Sequence, residues 1–332
     1  MIKNLKNGKG KLIISHVADV DGISALMLAQ LHYGDIDYCL VEFNELDSFL
    51  QSIVDNDSYR QYDEIIVTDV SFKPVALEIV SNNPQLASMI RHFDHHASEA
   101  ANMEKYPFVN EVIERDGKKT CGTTLFYDYI KKDFKYNSEY LDKYLEAVRA
   151  YDTGGPFCGN QYGVDLTTLI SIIGIDNYIR KFSAGIKCKK DPFNEDDIGL
   201  INQEREKMND YIDQCDKTLV RIKLGDYNVG VSISELYRSS VGNVLSKKYK
   251  DELDFILIMN FMRGQFSFRT VRDDVNVSEI AKSLTPEGGG HPKAAGMPIN
   301  QNTLFILNLV KEAMINKERQ MKLKPKGEQN ES

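Results

Sequence analysis

The chain has 332 residues, of which 42% are hydrophobic and 27% charged, as in an ordinary globular protein, and its length favours two domains. No apolar run approaches the roughly 20 residues of a membrane-crossing helix, and the apolar stretch near the N-terminus is too short for a signal peptide, so no membrane partner is expected. A net charge of −8 argues against long duplex nucleic acid held by bulk electrostatics.

The first 96 residues alternate between strand-like and helix-like segments. The predicted strands are "KLIIS", "YCLVEF", "EIIVTD" and "LASMIRHF", and each of the first three is followed by helical apolar spacing, with Pro74 near the start of the third helix. This alternation predicts an α/β fold in which a mostly parallel sheet carries helices on both faces. Ligands of such sheets bind beyond the carboxyl ends of the strands.

The rest of the chain divides into three segments. From Thr120 to about Ile173 the pattern is mainly helical and is broken at "YDTGGPF"; a charged connecting helix and a smaller C-terminal α/β domain follow. The last residues contain few apolar side chains and are predicted to be disordered. The predicted boundaries are 1–188 for the catalytic domain, 189–216 for the connecting helix, 217–316 for the substrate-binding domain and 317–332 for the charged tail.

The five cysteines predict the cellular compartment. Cys39, Cys121, Cys158, Cys188 and Cys215 are scattered and form no C-x-x-C pair. This spacing disfavours a disulfide framework or a zinc ribbon and indicates a reducing, cytoplasmic environment. Cys158, just after "DTGGPF", is interpreted as a buried structural thiol.

The distribution of charge predicts a phosphorylated substrate. Residues 217–312 contain 13 Lys or Arg against 10 Asp or Glu, a net charge of +3, although the whole chain carries −8. The N-terminal part must therefore be acidic. An acidic part that holds cations beside a mildly basic part that holds anions suits a substrate with phosphate groups.

Polar side chains follow the predicted strands where each one ends. The first strand is followed by His16, Asp19 and Asp21, and the third is followed by Asp69. Alone, "DVDG" is typical of a turn and Asp69 of a helix cap. Because the carboxyl ends of parallel strands meet at one edge, the whole set predicts a single site. The later members are Asp94, His95 and His96 after the fourth strand, and Asp152, which we expect in a turn after a helix.

This set of side chains has a chemical interpretation. Two divalent metals held by carboxylates and imidazoles can bind a phosphate group and activate a water molecule. Hard oxygen ligands with a few imidazoles favour manganese or magnesium over zinc, and no cysteine lies in these clusters. The ligand chemistry thus agrees with hydrolysis of phosphoesters at two metals.

The motifs resemble those of a known family. "HVADVDG", "TDVS", "DHH" and "YDTGG", in this order, resemble the four motifs of the DHH phosphoesterase superfamily. "FSFRT" followed by "GGGHPKAAG" resembles the associated C-terminal domain of the RecJ, nano-RNase and bisphosphonucleoside-phosphatase branch. The resemblance extends from about Lys11 to about Ala313. Although "DxDG" alone is a weak signal, the ordered combination is highly specific.

The resemblance implies two divalent cations, with manganese expected and magnesium as the alternative. His16 and Asp19 would bind one cation, and Asp69 would bridge both. The second cation would take three further ligands: Asp21, His95 and Asp152.

The resemblance also implies catalytic and substrate-binding residues. His96 would contact phosphate or assist proton transfer, and Asp94 would orient the histidines. Arg269 in "FSFRT" would bind phosphate through two hydrogen bonds, while the glycine run is interpreted as a substrate pocket rather than a flexible hinge. The further predicted substrate contacts are Gly288, Gly289, Gly290, His291, Arg263 and Lys293.

The expected activity is that of a metal-dependent phosphodiesterase or exonuclease. It would hydrolyse short oligoribonucleotides, including linear or cyclic dinucleotides, to mononucleotides. Three alternatives stay open: a phosphatase for 3′,5′-bisphosphorylated nucleosides, a single-strand DNA exonuclease, and a non-catalytic nucleotide-binding relative. The expected partners are short single-stranded RNA or a dinucleotide, and the expected assembly is a monomer or a homodimer.

Overall fold

The fold is taken from a computed structural model of the full chain, which divides into two compact units, Met1–Glu204 and Arg205–Ser332. Within the described part of the chain, no helix is long and apolar enough to cross a membrane. Cys158 lies outside the described residues, and the other four cysteines are free thiols. The structure describes residues 1–6, 10–17, 19–96, 105–155 and 159–323, with side chains to residue 316.

The N-terminal unit is built on a five-stranded sheet with the strand order β1-β3-β2-β4-β5. Edge strand β1 runs antiparallel to β3, and the other neighbours are parallel. This sheet confirms the predicted α/β class, although β1 was not predicted. The strands are β1 (Ile2–Asn4), β2 (Gly10–His16), β3 (Asp37–Val41), β4 (Tyr62–Thr68) and β5 (Ile90–Phe93).

Helices cover both faces of this sheet, as predicted. Successive side chains of a strand point to opposite faces, so Leu12 and Ile14 pack in one apolar cluster while Ile13 packs in the other. A first group of helices packs with Leu12 and Ile14: α2 (Leu46–Asp55), α3 (Pro74–Ser81) and α4 (Pro84–Met89). The group around Ile13 is α1 (Val20–Tyr33), α5 (Gly122–Ile130), α6 (Glu139–Gly154), α7 (Gln161–Ile173) and α8 (Ile175–Cys188).

Short elements complete this unit, and one long helix leads out of it. A 3-10 helix spans Ser58–Gln61, and a small hairpin pairs β6 (Glu114–Arg115) with β7 (Lys118–Lys119). Helix α9 (Glu195–Lys217) then passes the boundary between the units. The helix begins later than the predicted residue 189 because Pro192 disfavours helical backbone in the residue before it.

The C-terminal unit has a mixed sheet with the order β12-β13-β11-β10-β9-β8, in which β9 and β10 are parallel and the other neighbours antiparallel. Helix α10 (Arg238–Lys248) packs on one face, and α11 (Val277–Leu284) and α12 (Leu304–Leu323) on the other. The strands are β8 (Val220–Leu224), β9 (Tyr227–Ile233), β10 (Phe255–Asn260), β11 (Gln265–Arg269), β12 (Gly289–His291) and β13 (Ala294–Pro298).

The end of the chain differs from the prediction. We expected disorder from Lys317, but α12 continues to Leu323. The stretch has few apolar residues, but it consists of good helix formers: Lys, Glu, Arg, Gln, Met and Leu. The predicted tail beyond residue 323 lies outside the described residues.

Candidate metal centre

Three parallel strands deliver the candidate ligands to one edge of the N-terminal sheet. Ser15 of β2 is paired with Thr68 of β4, and Thr68 is paired with Phe93 of β5. The residues that follow, His16, Asp69 and Asp94, therefore leave their strands at the same level. The expected convergence of distant motifs is thus a direct consequence of strand register.

Two groups of ligand atoms meet at Asp69. In each group, one oxygen or nitrogen atom from every residue lies within 4.8 Å of the others. The first group is Asp21, Asp69, His95 and Asp152; the second is His16, Asp19 and Asp69. A further group joins Asp69 to Asp94, His95 and His96. All eight predicted metal-binding and catalytic residues of the N-terminal unit are therefore brought together.

The shortest contacts run outward from Asp69 in two directions. Its Oδ1 lies 3.4 Å from His95 Nε2, which is 3.2 Å from Asp152 Oδ2. Its Oδ2 lies 3.6 Å from His16 Nδ1, which is 2.7 Å from Asp19 Oδ2. The two carboxylate oxygens of Asp69 thus face different ligand groups.

The backbone of Asp69 has an unusual conformation. Its φ is +54°, in the left-handed region, which aspartate tolerates better than most residues. The Asp69 amide donates to the carbonyl of Phe93 at 3.0 Å, and the side chain is only 1% exposed. Such a conformation persists where the surrounding structure fixes it, and it is concentrated at functional sites.

The "DVDG" segment turns β2 into α1 and fixes two carboxylates. Asp19 is the N-cap of α1, and its side chain accepts a hydrogen bond from the Gly22 amide at 3.1 Å. A Cβ atom on Gly22 would lie 2.1 Å from the carbonyl oxygen of His16. Glycine is therefore required at this position because the helix backbone passes directly over the end of the strand.

Asp21 is held by the N-terminus of α5. Its two carboxylate oxygens accept hydrogen bonds from the amides of Gly122 at 2.7 Å and Thr123 at 2.8 Å. The Thr123 hydroxyl donates to the Asp21 backbone carbonyl. An anion at a helix N-terminus is stabilised by the exposed amides and the helix dipole. The sequence patterns did not predict these contacts of Gly122 and Thr123; a glycine near the start of the predicted helical region was the available signal.

Asp152 lies within a helix rather than after one, which corrects the expectation. It occupies the last turn of α6, which ends at Gly155 with φ +62°. The helix continues through Thr153, whose hydroxyl donates to the carbonyl of Arg149 at 2.8 Å. The "DTGG" sequence therefore ends a helix at its second glycine instead of forming a free turn.

Asp94 orients the neighbouring histidines. It is fully buried and accepts from the His95 amide at 2.8 Å, from His96 Nδ1 at 2.6 Å and from the Ser71 hydroxyl at 2.6 Å. Burial alone would raise the pKa of Asp94, but the His96 hydrogen bond and charge lower it below its usual range. His92 is buried between Val70 and Asn110 and has a structural role.

The buried carboxylates repel one another. Burial raises the pKa of both Asp69 and Asp152 well above the usual range, and the negative charge of Asp19 and Asp21 raises them further. Within the two ligand groups, four buried atoms lack a hydrogen-bond partner among the described residues: His16 Nε2, Asp69 Oδ2, His95 Nε2 and Asp152 Oδ2. A divalent cation would satisfy such atoms and reduce the repulsion, so the donor set fits oxygen- and imidazole-binding metals.

The neighbouring carboxylates also raise the pKa of His16. Burial lowers its pKa, but the hydrogen bond with Asp19 and the negative charge of Asp69 outweigh burial and raise the pKa to about 10. Without a cation, the ring therefore holds a proton at neutral pH. A metal that takes His16 as a ligand must displace this proton.

Residues after β3 form a rim that the sequence analysis missed. Phe43 is 39% exposed, and its ring centroid lies 4.2 Å from that of His16 and 5.6 Å from that of His96. Glu42 Oε2 lies 3.8 Å from His16 Nε2. The signal was their position directly after the carboxyl end of a parallel strand.

The predicted substrate residues of the C-terminal unit are only partly grouped. Arg269 donates from Nη1 to the carbonyl of Phe268 at 2.8 Å and from Nη2 to the Ser239 hydroxyl at 3.2 Å. Lys293 instead pairs with Asp273 at 2.9 Å. Gly288 precedes β12, whose residues Gly289, Gly290 and His291 pair with β13, and Arg263 is exposed in the turn between β10 and β11.

Comparison with known proteins finds an oligoribonuclease that is similar to this chain. No protein-family model matches the chain. The chain is 29% identical over 297 residues to Oligoribonuclease NrnB from Bacillus subtilis (strain 168), a similarity that covers 87% of this chain and 73% of the relative. This similarity confirms the resemblance to the DHH phosphoesterase superfamily that the motifs predict.

Solved structures show the same fold for this DHH phosphoesterase relative. The pGpG-specific phosphodiesterase PggH from Vibrio cholerae matches with a TM-score of 0.51 and 12% identity, covering 94% of this chain and 99% of that chain. RecJ from Thermus thermophilus, in complex with Mn²⁺, matches with a TM-score of 0.54 and 11% identity, covering 96% of this chain and 53% of that chain. These matches show that this chain shares its fold with both proteins.

Proposed function

We propose that this chain is a metal-dependent phosphodiesterase that hydrolyses short oligoribonucleotides, including dinucleotides, to mononucleotides. The observation that carries the proposal is the pair of ligand groups that share Asp69, because a bridging carboxylate is what a two-metal site requires. The oligoribonuclease name of the relative and the phosphodiesterase name of PggH support the same class of reaction.

In this proposal, the two ligand groups hold two divalent cations, with manganese as the expected ion and magnesium as the alternative. His16 and Asp19 bind on one side of Asp69. When bound, the cations activate water and stabilise the charge that develops on the phosphoryl group. The cation on the other side of Asp69 would be held by Asp21, His95 and Asp152.

His96 and Asp94 complete the proposed catalytic group. The His96–Asp94 hydrogen bond raises the pKa of His96, although burial opposes this, so the imidazole keeps a proton more readily than a free histidine. Asp94 fixes Nδ1 of His96, which leaves Nε2 to donate to a phosphate oxygen or to the leaving oxygen. Buried Asp94 acts through His96 as an orienting group.

The proposal is tested by hydrolysis of labelled RNA of two to five nucleotides with manganese. Asp69→Asn and His95→Ala should each reduce the rate by at least about a hundredfold, because each removes a ligand on which both the charge and the geometry of the site depend. A twenty-nucleotide RNA, the matching DNA and 3′-phosphoadenosine 5′-phosphate run in parallel.

Asp63→Asn is the matched control, because Asp63 is an exposed aspartate on the same strand, β4. It should keep the wild-type rate, and circular dichroism should show that all variants are folded. Preferential cleavage of the DNA or the bisphosphate would favour an alternative activity. No cleavage of any substrate by the wild type with metal would refute the enzymatic proposal.

A further inference from the structure

Phe43 is an exposed aromatic residue at the edge of the candidate metal centre. It follows β3, whose last residue, Val41, is paired with His16 of β2. The Val17 amide donates to the Val41 carbonyl at 3.1 Å, so the two strands stay together as far as their ends. Phe43 therefore leaves the sheet at the same edge as the candidate ligands.

The phenyl ring of Phe43 lies against two histidines of the centre. Its centroid is 4.2 Å from that of His16, with an angle of 34° between the two rings. The centroid of the His96 ring is 5.6 Å away, at an angle of 84°. Both imidazoles are largely buried, whereas Phe43 is 39% exposed. The ring therefore offers an apolar surface to solvent directly beside polar ligand atoms.

Hydrogen bonds hold the turn that carries Phe43. The Glu42 amide donates to Glu45 Oε2 at 2.9 Å, and the Glu45 amide donates back to the Glu42 carbonyl at 2.9 Å. The chain then enters α2, whose first residue, Leu46, is buried in an apolar cluster. The ring is thus held in place before any ligand binds, which lowers the entropy that binding costs.

The charge of this turn disfavours a phosphate group beside the ring. Residues 42–47, "EFNELD", contain no Lys or Arg. Glu42 lies at the centre itself, with its Oε2 3.8 Å from His16 Nε2. Its carboxylate repels an anion but not an uncharged group. A flat, uncharged part of a ligand therefore fits this surface better than a second phosphate does.

A nucleotide carries such a group close to its phosphate. The base is flat and uncharged, and a single ribose separates it from the phosphate. Phe43 is in turn a direct neighbour of His16 and His96. Stacking of a base on an aromatic side chain tolerates any sequence, because every base has a π face. The shape and charge of the rim thus match a base whose phosphate lies at the candidate ligands.

We propose that Phe43 stacks on the base of the nucleotide whose phosphate lies at the metal centre. The inference rests on the proposed function, which supplies a nucleotide as the substrate. A metal centre binds phosphate whatever is attached to it, whereas Phe43 selects for a base. Phe43 is then a specificity-determining residue that favours nucleotides over base-free phosphoesters and distinguishes little among the bases.

Isothermal titration of the full-length chain with manganese measures binding of adenosine 5′-monophosphate (AMP) and of ribose 5-phosphate, which lacks the base. The wild type should bind AMP more tightly by about tenfold or more, as expected for one stacked base. Phe43→Ala should remove this difference by weakening AMP binding alone, and Phe43→Tyr should retain it. A difference that persists in folded Phe43→Ala, or an equal loss for both ligands, would overturn the proposal.

Phe305→Ala is the matched control, because Phe305 is 41% exposed and lies on α12 of the other unit. It should bind AMP like the wild type. Phe43→Leu provides a second test if Phe43→Ala does not fold. Leucine keeps an apolar contact with His16 but has no π face, so this variant should also lose the preference for AMP. A retained preference in folded Phe43→Leu would contradict stacking.

Hydrolysis then separates this inference from the proposed function. An RNA dimer is compared, with manganese, with the same dimer lacking the base at one end or the other. Phe43→Ala should raise KM for the RNA dimer by about tenfold and change kcat much less, because stacking is made before the reaction. Hydrolysis of all dimers with the same KM would overturn the stacking site alone. Binding of AMP that depends on Phe43, without hydrolysis of any dimer, would refute the proposed function and leave the stacking site in place.

Discussion

At the scale of single residues, the metal centre depends on close backbone approaches. Gly22 lies against the carbonyl of His16, and Gly122 lies between Asp21 and Asp69. Glycine has no side chain, so neither residue can bind a metal through one. Their contribution is to let α1 and α5 come close enough to β2 and Asp69 for the carboxylates to be held by backbone amides.

Gly122→Ala should disturb the centre directly. Its Cβ would lie 2.8 Å from the Asp69 amide nitrogen and 3.1 Å from Asp21 Oδ2, so backbone must shift. We expect a loss of about 1–3 kcal/mol in the free energy of unfolding. Because Asp21 and Asp69 would move apart, hydrolysis should fall about 10- to 100-fold. Urea unfolding and the RNA assay measure the two effects.

Gly199→Ala is the control for this substitution. Gly199 lies in α9, and a Cβ atom there would meet nothing within 4 Å. Alanine in a helix is favoured over glycine by about 0.5–1 kcal/mol, so this variant should be slightly more stable and fully active. Wild-type activity in Gly122→Ala would show that the approach of α5 is not needed.

At the scale of elements, a chain of buried hydroxyls fixes α6 and therefore Asp152. Ser24 of α1 bonds the Tyr144 hydroxyl at 2.6 Å, and this hydroxyl bonds that of Tyr178 on α8 at 2.9 Å. Tyr144 and Tyr178 are fully buried. The network therefore joins the helix that carries Asp21 to the helix that carries Asp152.

Tyr144→Phe should weaken this connection. Removing the hydroxyl leaves the Ser24 and Tyr178 groups without their buried partner, which costs about 1–3 kcal/mol in the free energy of unfolding. Urea unfolding measures the change. Tyr227→Phe is the control, because Tyr227 is exposed and no hydrogen bond of its hydroxyl is recorded among the described residues. Equal stability of both variants would argue against a structural role for the network.

At the scale of the whole molecule, each unit has its own core. The N-terminal sheet packs between two apolar clusters, and so does the C-terminal sheet. The candidate metal ligands all lie in the first unit. A cation should therefore stabilise the two units unequally.

Manganese should slow amide hydrogen exchange in β2, β4 and the first turn of α5. A ligand at 100 times its dissociation constant stabilises the state that binds it by about 2.7 kcal/mol. Strands β9 and β10 of the other unit should change much less. Mass spectrometry with and without manganese measures this, and Asp69→Asn should abolish the protection. Equal protection of both units would contradict a metal centre confined to the N-terminal unit.

The sequence by itself determined the fold class and the resemblance to the DHH phosphoesterase superfamily. Strands that are apolar throughout must be buried on both faces, which requires a mostly parallel sheet with helices on either side. Parallel strands end at one edge, so the motif residues from His16 to Asp152 could be expected to converge. These inferences depend only on local pattern and on chain order, which the sequence contains in full.

Only the tertiary structure decided how the carboxylates are held and where Arg269 lies. Gly122 contacts residues about 50 and 100 positions earlier in the chain, and Arg269 of β11 bonds Ser239 of α10. No local pattern encodes such contacts, because they depend on how separate elements pack. The same is true of the last turn of α6, which continues to Gly154 and so places Asp152 in a helix instead of a turn.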